Sequence, residues 1–311
     1  MLLDYYLNLL DYNNIPDFLI PYLNVPSLNR LKNIGYFCGM DYASKSIYDF
    51  KEYITRYDHS LTVSLLTYKL TKDKKATLAA LFHDIATPCF SHVIDYMNKD
   101  YENQESTEEY TEYIIKSDEK LLYLLNKDNI DVEDIINFKN YTIVDNNRPK
   151  LCADRLDGII LTAIGWTKNI TKEDIYNILN NLTIYINEDN EKEIGITDYN
   201  IANKILDIST SIDIICHSNE DNYMMELLAK ITKLAILKKY IKYENLYILN
   251  EKQLFEILKY TNDQEISNLL YIFKNINIKD IPIVKIDNVK KRNLNPLVNN
   301  KRLEKALVKH I

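Results

Sequence analysis

The stretch 58–85, DHSLTVSLLTYKLTKDKKATLAALFHDI, constrains the fold more than any other part of the chain. Leu61, Leu65 and Tyr68 recur at three-to-four spacing, which predicts a helix with Asp58 or Ser60 as its N-cap. Ala76, Leu78, Leu81 and Phe82 predict a second helix, after a polar turn at TKDK. Helices joined this tightly pack antiparallel, so the start of the first lies beside the end of the second. His59 and the pair His83-Asp84 are then neighbours in space. An imidazole near a helix C-terminus favours the dipole, but the Asp84 carboxylate carries the wrong charge for that end.

Helical periodicity continues on both sides. Pro88 interrupts it, and a short helix is expected from about Phe90 to Met97. QESTEEYTEYIIKSDEKLLYLL then reads as one long helix, and DNNRPKLCADRLDGIILTAIGW as helical from about Pro149 onward. The exception is LTIYINEDNEKEIGI, where isoleucines alternate on either side of a polar turn, predicting a β-hairpin near 182–197. Helices resume at about Tyr199 and run to about Asn275; a short strand is expected near 281–286 in IPIVKID, and the basic tail from Lys290 could end in a helix. The expected fold is all-α with this small β component. A core over 1–240 and an accessory segment over 241–311 are the expected division.

The 311 residues are 46% apolar, enough for a large core, and 45 acidic side chains outnumber 38 basic ones. A net charge of −7 argues against general nucleic-acid binding, which needs a basic footprint, but leaves room for a small anion in a local basic pocket. Cys38, Cys89, Cys152 and Cys216 follow no C-x-x-C spacing, so neither a thiolate zinc site nor a disulfide framework is expected. Asp4 and Asp11 interrupt the N-terminal apolar residues, and no later run approaches a membrane span. A reducing, cytoplasmic setting is the expectation.

Chemistry concentrates in few residues. His59, His83 and His92 are three of the five histidines and fall within 34 positions, each near a predicted helix end or break. Further on, CADRLDGII sets Asp154 and Asp157 on one helix face at i,i+3 spacing, leaving Asp154 free to complete a group with His59, His83 and Asp84. Two neutral nitrogens and two hard oxygens suit one divalent cation (Mn, Fe, Ni, Co, Zn or Mg), and the spacing does not choose among them. His92 and Asp95, again at i,i+3, form a pair in which the carboxylate orients the imidazole for proton transfer. Each of these histidines alone could equally be a hydrogen-bonded structural residue.

RYDHSLTV, LAALFHDIATPCFSH and ADRLDGI together resemble the H…HD…D signature of the HD superfamily of metal-dependent phosphohydrolases, most closely its deoxynucleoside triphosphate triphosphohydrolase branch. SLNRLKNIGYFCG is similar to the basic helix of that branch before the first histidine, and LYILNEKQLFEIL to one of its later segments. The match is specific over about 26–165. The resemblance implies an all-helical HD core with His59, His83, Asp84 and Asp154 as metal ligands. It further implies His92, Asp95 and Glu105 in the catalytic cluster, and Arg30, Lys32, Arg56 and Arg155 as phosphate contacts. A nucleotide or related small phosphate compound is the implied substrate, ester or anhydride hydrolysis the implied reaction, and a homo-oligomer an expected assembly.

The sequence also departs from that pattern. Thr87 stands where the branch has a second histidine, and Gln104-Glu105 where it has His-Glu. Neither threonine nor glutamine does acid–base chemistry near pH 7. Tyrosine, histidine and arginine contacts to a base are not evident around HSNEDNYMMELLAK. A regulatory protein that binds a nucleotide without turnover, and a helical protein whose histidines bind nothing, are the competing expectations.

Overall fold

The computed structural model describes residues 1–303 except Asn103, Glu105, Asp287 and Asn288. The chain opens with α1 (Leu2–Leu9) and α2 (Pro26–Arg30), then builds its centre from α3 (Arg56–Thr71) and α4 (Lys74–Phe82). α3 starts at Thr55, whose hydroxyl accepts from Asp58 N–H while the Asp58 carboxylate takes the Thr55 N–H in return. Thr55 is therefore the cap and Asp58 its reciprocal partner, one turn away from the assignment made by periodicity alone. Lys72 closes α3 at φ 56°, and the Asp73 carboxylate accepts from Lys75 N–H and Ala76 N–H to start α4.

Every residue of α3 from His59 to Thr67 is buried, so this helix is enclosed on all sides and not amphipathic. Its small polar side chains fit that position. Ser64 Oγ donates to Thr77 O of α4 at 2.9 Å, and Thr62 Oγ1 donates to Asp58 O at 2.8 Å.

After Pro88 the backbone makes a turn in which Phe90 (φ 66°) and Ser91 (φ 46°) are both left-handed, so α5 spans only Val93–Asn98. The single long helix expected over 104–125 is instead α6 (Thr111–Ser117) and α7 (Glu119–Lys127), preceded by a short 3-10 turn. Asp118 makes the break: one carboxylate oxygen caps α7 at Leu121 N–H, and the other accepts from Ser27 N–H and Oγ. α8 (Val132–Ile136) and α9 (Ala153–Thr162) follow, the latter starting after an irregular loop, later than expected.

α10 (Lys172–Asn180) leads into β1 (Leu182–Ile186) and β2 (Lys192–Ile196), which pair antiparallel with Ile184 opposite Ile194. α11 (Tyr199–Cys216), α12 (Asn219–Leu237), α13 (Asn245–Ile248), α14 (Glu251–Tyr260) and α15 (Gln264–Asn275) complete the helices among the described residues. The mostly helical fold with one small sheet agrees with the sequence.

The strand expected near 281–286 is not there. Pro282 lacks a donor, Ile283 is 85% exposed, and Val284 N–H is taken by the Asn219 side chain at 2.8 Å. The sheet is extended instead by β3 (Leu297–Val298), parallel to β2, and β4 (Lys301–Arg302). Arg302 fixes this edge, donating to both oxygens of the fully buried Glu193 at 2.6 Å each. The tail beyond 303, including its expected helix, lies outside the described residues.

The segment after 241 shares the apolar core of the rest: Leu254, Phe255 and Phe273 are buried in one cluster with Leu28, Leu31 and Phe90. Cys89 N–H donates to Leu246 O at 2.7 Å, tying α13 to the turn after Pro88. No helix among the described residues is long and apolar enough to cross a membrane.

Candidate metal centre

Because α3 and α4 lie antiparallel, the first turn of α3 and the end of α4 meet. The rings of His59 and His83 are 5.1 Å apart, centroid to centroid. The first turn of α9 brings Asp154 to them: its Oδ1 lies 3.0 Å from His59 Nε2 and 3.6 Å from His83 Nε2. One ligand atom from each of the three residues lies within 4.8 Å of the other two. Asp84 reaches the same place from the other side, 3.8 Å from His59 Nε2 and 4.0 Å from His83 Nε2, while its Oδ2 accepts from Arg56 Nη1 at 3.0 Å.

Both imidazoles are held by their other nitrogen. His83 Nδ1 lies 2.7 Å from Ala80 O, and His59 Nδ1 lies 2.7 Å from Asp157 Oδ2. A carbonyl can only accept, so His83 carries its proton on Nδ1 and presents a bare Nε2 to the cluster. That Nε2 is buried and has no hydrogen-bond partner. An orphaned imidazole nitrogen facing two carboxylates and a second imidazole is an arrangement that could hold a cation. The residues fit a divalent ion by donor chemistry and by this unsatisfied atom.

The electrostatics agree. Burial works against a charged His59, but its bonds to Asp154 and Asp157 outweigh it and push the ring up to about 10. His83 is raised against the same burial by Asp84 and Asp154. Burial likewise opposes ionisation of Asp84, yet His83, Arg56 and His59 hold it down at about 2. Asp154 is held well below the usual carboxylate range by the two imidazoles, again against burial. Three carboxylates around two imidazoles make a field that favours positive charge at this place, the charge a metal ion would supply.

A cavity of about 840 Å³ opens from this cluster. His92 lines it, with Nδ1 2.8 Å from Asp95 Oδ2; Asp95 is fully buried and its other oxygen accepts from Ser106 N–H at 3.1 Å. Arg56 and Arg155 line it too. Arg56 Nε donates to Ser91 Oγ at 3.2 Å, and its guanidinium lies 4.8 Å from the Tyr36 ring centroid. Arg155 is bound to the loop before α9, donating to Asn146 Oδ1 and Asn146 O at 2.8 Å each and to Lys150 O.

Two of the expected phosphate contacts are not brought to the cavity. Arg30 is turned into the protein, where it donates to Ile85 O (3.3 Å), Thr87 O (2.5 Å) and Leu249 O (3.4 Å). Lys32 is exposed, its ammonium 4.5 Å from the Tyr57 ring centroid. Glu105 lies outside the described residues. Gln104 lines the cavity, whereas Thr87 is buried with its hydroxyl unpartnered.

Several residues of the site were given no role by the sequence. Asp157, noted only for its spacing, orients His59 and accepts from Tyr6 OH at 2.7 Å. The i,i+3 offset from Asp154 is the signal that could have found it, since ligating histidines commonly hold a carboxylate on the far nitrogen. Arg148 and Arg292 line the cavity without any such signal. Asp145, Cys152 and Asp154 form a second ligand-like group, but Arg155 Nη2 lies 3.8 Å from Asp145 and already places a positive charge there.

Comparison with known proteins gives a consistent result. The family model "HD domain" matches residues 56–160, the stretch from the start of α3 into α9. An uncharacterized protein YdhJ of Bacillus subtilis is 34% identical over 108 residues, covering 33% of this chain and 32% of that one. The metal-dependent phosphohydrolase cns2 of Cordyceps militaris is 27% identical over 133 residues, covering 42% of this chain and 37% of that one. The chain thus matches about a third of the length of these curated relatives. A crystal structure of a hypothetical protein from Aquifex aeolicus superposes with a TM-score of 0.60 at 18% identity, covering 83% of this chain and 71% of that one, which shows a shared fold. The HD match thus covers the segment that carries His59, His83, Asp84 and Asp154.

Proposed function

We propose that this protein is a hydrolase that cleaves a phosphate ester or anhydride in a nucleotide or related small molecule, using one divalent metal ion held by His59, His83, Asp84 and Asp154. The observation that carries this reading is the buried, unpartnered His83 Nε2 aimed at Asp154 and His59. The match of 56–160 to the HD domain, and the likeness to a metal-dependent phosphohydrolase of Cordyceps militaris, support it. A divalent ion bound there supplies Lewis-acid chemistry, making water acidic near neutral pH and polarising a phosphoryl oxygen.

The chain's own residues supply the rest. Asp157 and the Ala80 carbonyl fix the two imidazoles with Nε2 forward. Arg56 and Arg155, held rigid by Asp84, Ser91 and the Asn146 loop, place fixed positive charge beside the phosphate oxygens, where negative charge grows in the transition state. His92, oriented by the buried Asp95, protonates the leaving oxygen from Nε2. Its partial exposure lets it exchange that proton with solvent.

The most specific version of this reading is a deoxynucleoside triphosphate triphosphohydrolase. Purified protein with manganese should then release inorganic tripolyphosphate from a dNTP. Orthophosphate or pyrophosphate as product points to another phosphohydrolase class. Turnover that needs metal and is abolished in Asp84→Ala supports the enzyme. Tight nucleotide binding with no product after long incubation instead supports the regulatory alternative, which the placement of Gln104 in the cavity favours because the amide moves no proton.

A further inference from the structure

The six arginines of this acidic chain fall into two groups. Arg56 and Arg302 have carboxylate partners at 3.0 Å or closer, Arg155 has one at 3.8 Å, and Arg30 donates to three main-chain carbonyls. Arg148 and Arg292 have no carboxylate within 4.0 Å of their guanidinium groups among the described residues. Both line the same cavity as the metal cluster. Among the described residues the Arg148 side chain makes one bond, from Nη1 to Asn293 O at 3.3 Å. Arg292 Nε is buried with no partner, and Cys216, Tyr36 and Cys38 line the same cavity.

Two carboxylates in this region have other donors. Asp213 Oδ1 accepts the Arg292 backbone N–H at 3.0 Å, and Asp221 Oδ1 accepts from Tyr48 OH at 2.6 Å. Arg148 and Arg292 repel one another, and both repel Lys290, which lines the cavity beside them. On the other side Arg148 feels the pull of Asp154, so the cationic group borders the metal cluster.

The segment that carries Arg292 is fixed in place. Lys290 N–H donates to Tyr101 O at 2.9 Å, Arg292 N–H to Asp213, and Asn295 N–H to Pro149 O at 2.8 Å. A region far from the HD-like motifs is thus laid along the cavity, and it delivers a positive charge to the interior. Holding two like charges together out of full contact with water is costly unless an anion joins them. No carboxylate among the described residues comes within 4.0 Å of either guanidinium to supply one.

We propose that Arg148 and Arg292 form a phosphate-binding subsite, separate from the metal cluster, for a group of the substrate other than the phosphoryl group under attack. A phosphate is preferred over a carboxylate because it brings up to two negative charges and three acceptor oxygens to a site with two guanidinium groups. The subsite's role in turnover rests on the hydrolase reading given above; its affinity for an anion does not.

The test is therefore made without metal. Wild type, R148Q, R292Q and R292K are stripped with a chelator, checked for folding by circular dichroism, and titrated calorimetrically with pyrophosphate and, separately, with malonate. Wild type should bind pyrophosphate, R148Q and R292Q at least ten-fold more weakly, a loss of about 1.4 kcal/mol, and R292K between them. Failure of wild type to bind, or equal affinity in folded R148Q and R292Q, overturns the subsite even if the enzyme turns over. Malonate binding as tightly as pyrophosphate overturns the phosphate assignment. Arginine-dependent pyrophosphate binding in a protein that hydrolyses nothing leaves the subsite standing and removes the hydrolase reading instead. Should R292Q fail to fold, R148Q and R292K carry the same comparison.

Discussion

Asp157 Oδ2 lies 2.7 Å from His59 Nδ1, at the floor of the metal cluster and wholly shielded from solvent. The carboxylate does not face the place a cation would take; it sets the direction of the imidazole that does. Asp157→Asn should therefore weaken metal binding by about 10–100-fold without removing a ligand. Competition titration against a fluorescent chelator reads this directly. Unchanged metal affinity would show that the pair is only structural.

Asp154 contacts both imidazoles, so its loss should be more severe. In Asp154→Ala, metal content of the purified protein should fall to a small fraction of one ion per chain and any phosphate release with it. Metal analysis by mass spectrometry and a phosphate-release assay on the same preparation check both. Full occupancy in this variant would remove Asp154 from the ligand set.

Arg30 ends in three main-chain carbonyls from two distant parts of the chain, so its replacement should be felt as stability. Arg30→Met leaves Ile85 O, Thr87 O and Leu249 O without their donor, at a cost on the order of 2–4 kcal/mol. The midpoint of urea unfolding should drop accordingly while KM for any substrate stays put. A raised KM with unchanged stability would return Arg30 to the phosphate contacts expected from sequence.

Glu251 and Asp41 converge on Gly35, where a Cβ would sit 3.0 Å from Glu251 Oε2 and 2.8 Å from Asp41 Oδ2, and neither oxygen has a partner. Burial, against the pull of the Gly35 N–H, and the neighbouring Asp41 push Glu251 up to about 8; burial pushes Asp41 up to about 6. The folded state holds these protons over a range where the unfolded chain, with carboxyls near about 4, has lost them. Their contribution to stability is complete below that range and is lost as pH rises through about 6 for Asp41 and about 8 for Glu251. Between pH 5 and 7 the fall should approach about 1.4 kcal/mol per pH unit from Glu251, with Asp41 adding to it only below about 6. Glu251→Gln should flatten the curve of urea stability against pH. An identical slope in the variant would dismiss the protonated carboxyl.

Much of this architecture was legible without coordinates. The 3.6-residue apolar period, the caps and the alternation over 182–196 are local signals, and they predict a helical protein with one hairpin. Errors fell where a local signal was overruled by a distant partner. Asp118 reads as one acidic residue in a long helix, but Ser27 and Leu121 recruit it as a break. IPIVKID alternates like a strand, yet no sheet edge reaches it, and Leu297–Val298 takes the place beside β2.

At the site, sequence alone determined which residue types were at hand: histidines beside helix ends, carboxylates at matching offsets, and a threonine and a glutamine where acid–base groups would be expected. It also determined that two tightly joined helices must fold back on each other. Only the tertiary structure decided which cations face the cavity. Arg30 lies in a family-like segment and points inward to carbonyls, while Arg292 lies in no motif and enters the pocket. The reason is physical. Helix period and capping depend on neighbours a few residues away, but the direction of a long side chain depends on where the rest of the chain leaves an unfilled charge or an unpaired oxygen.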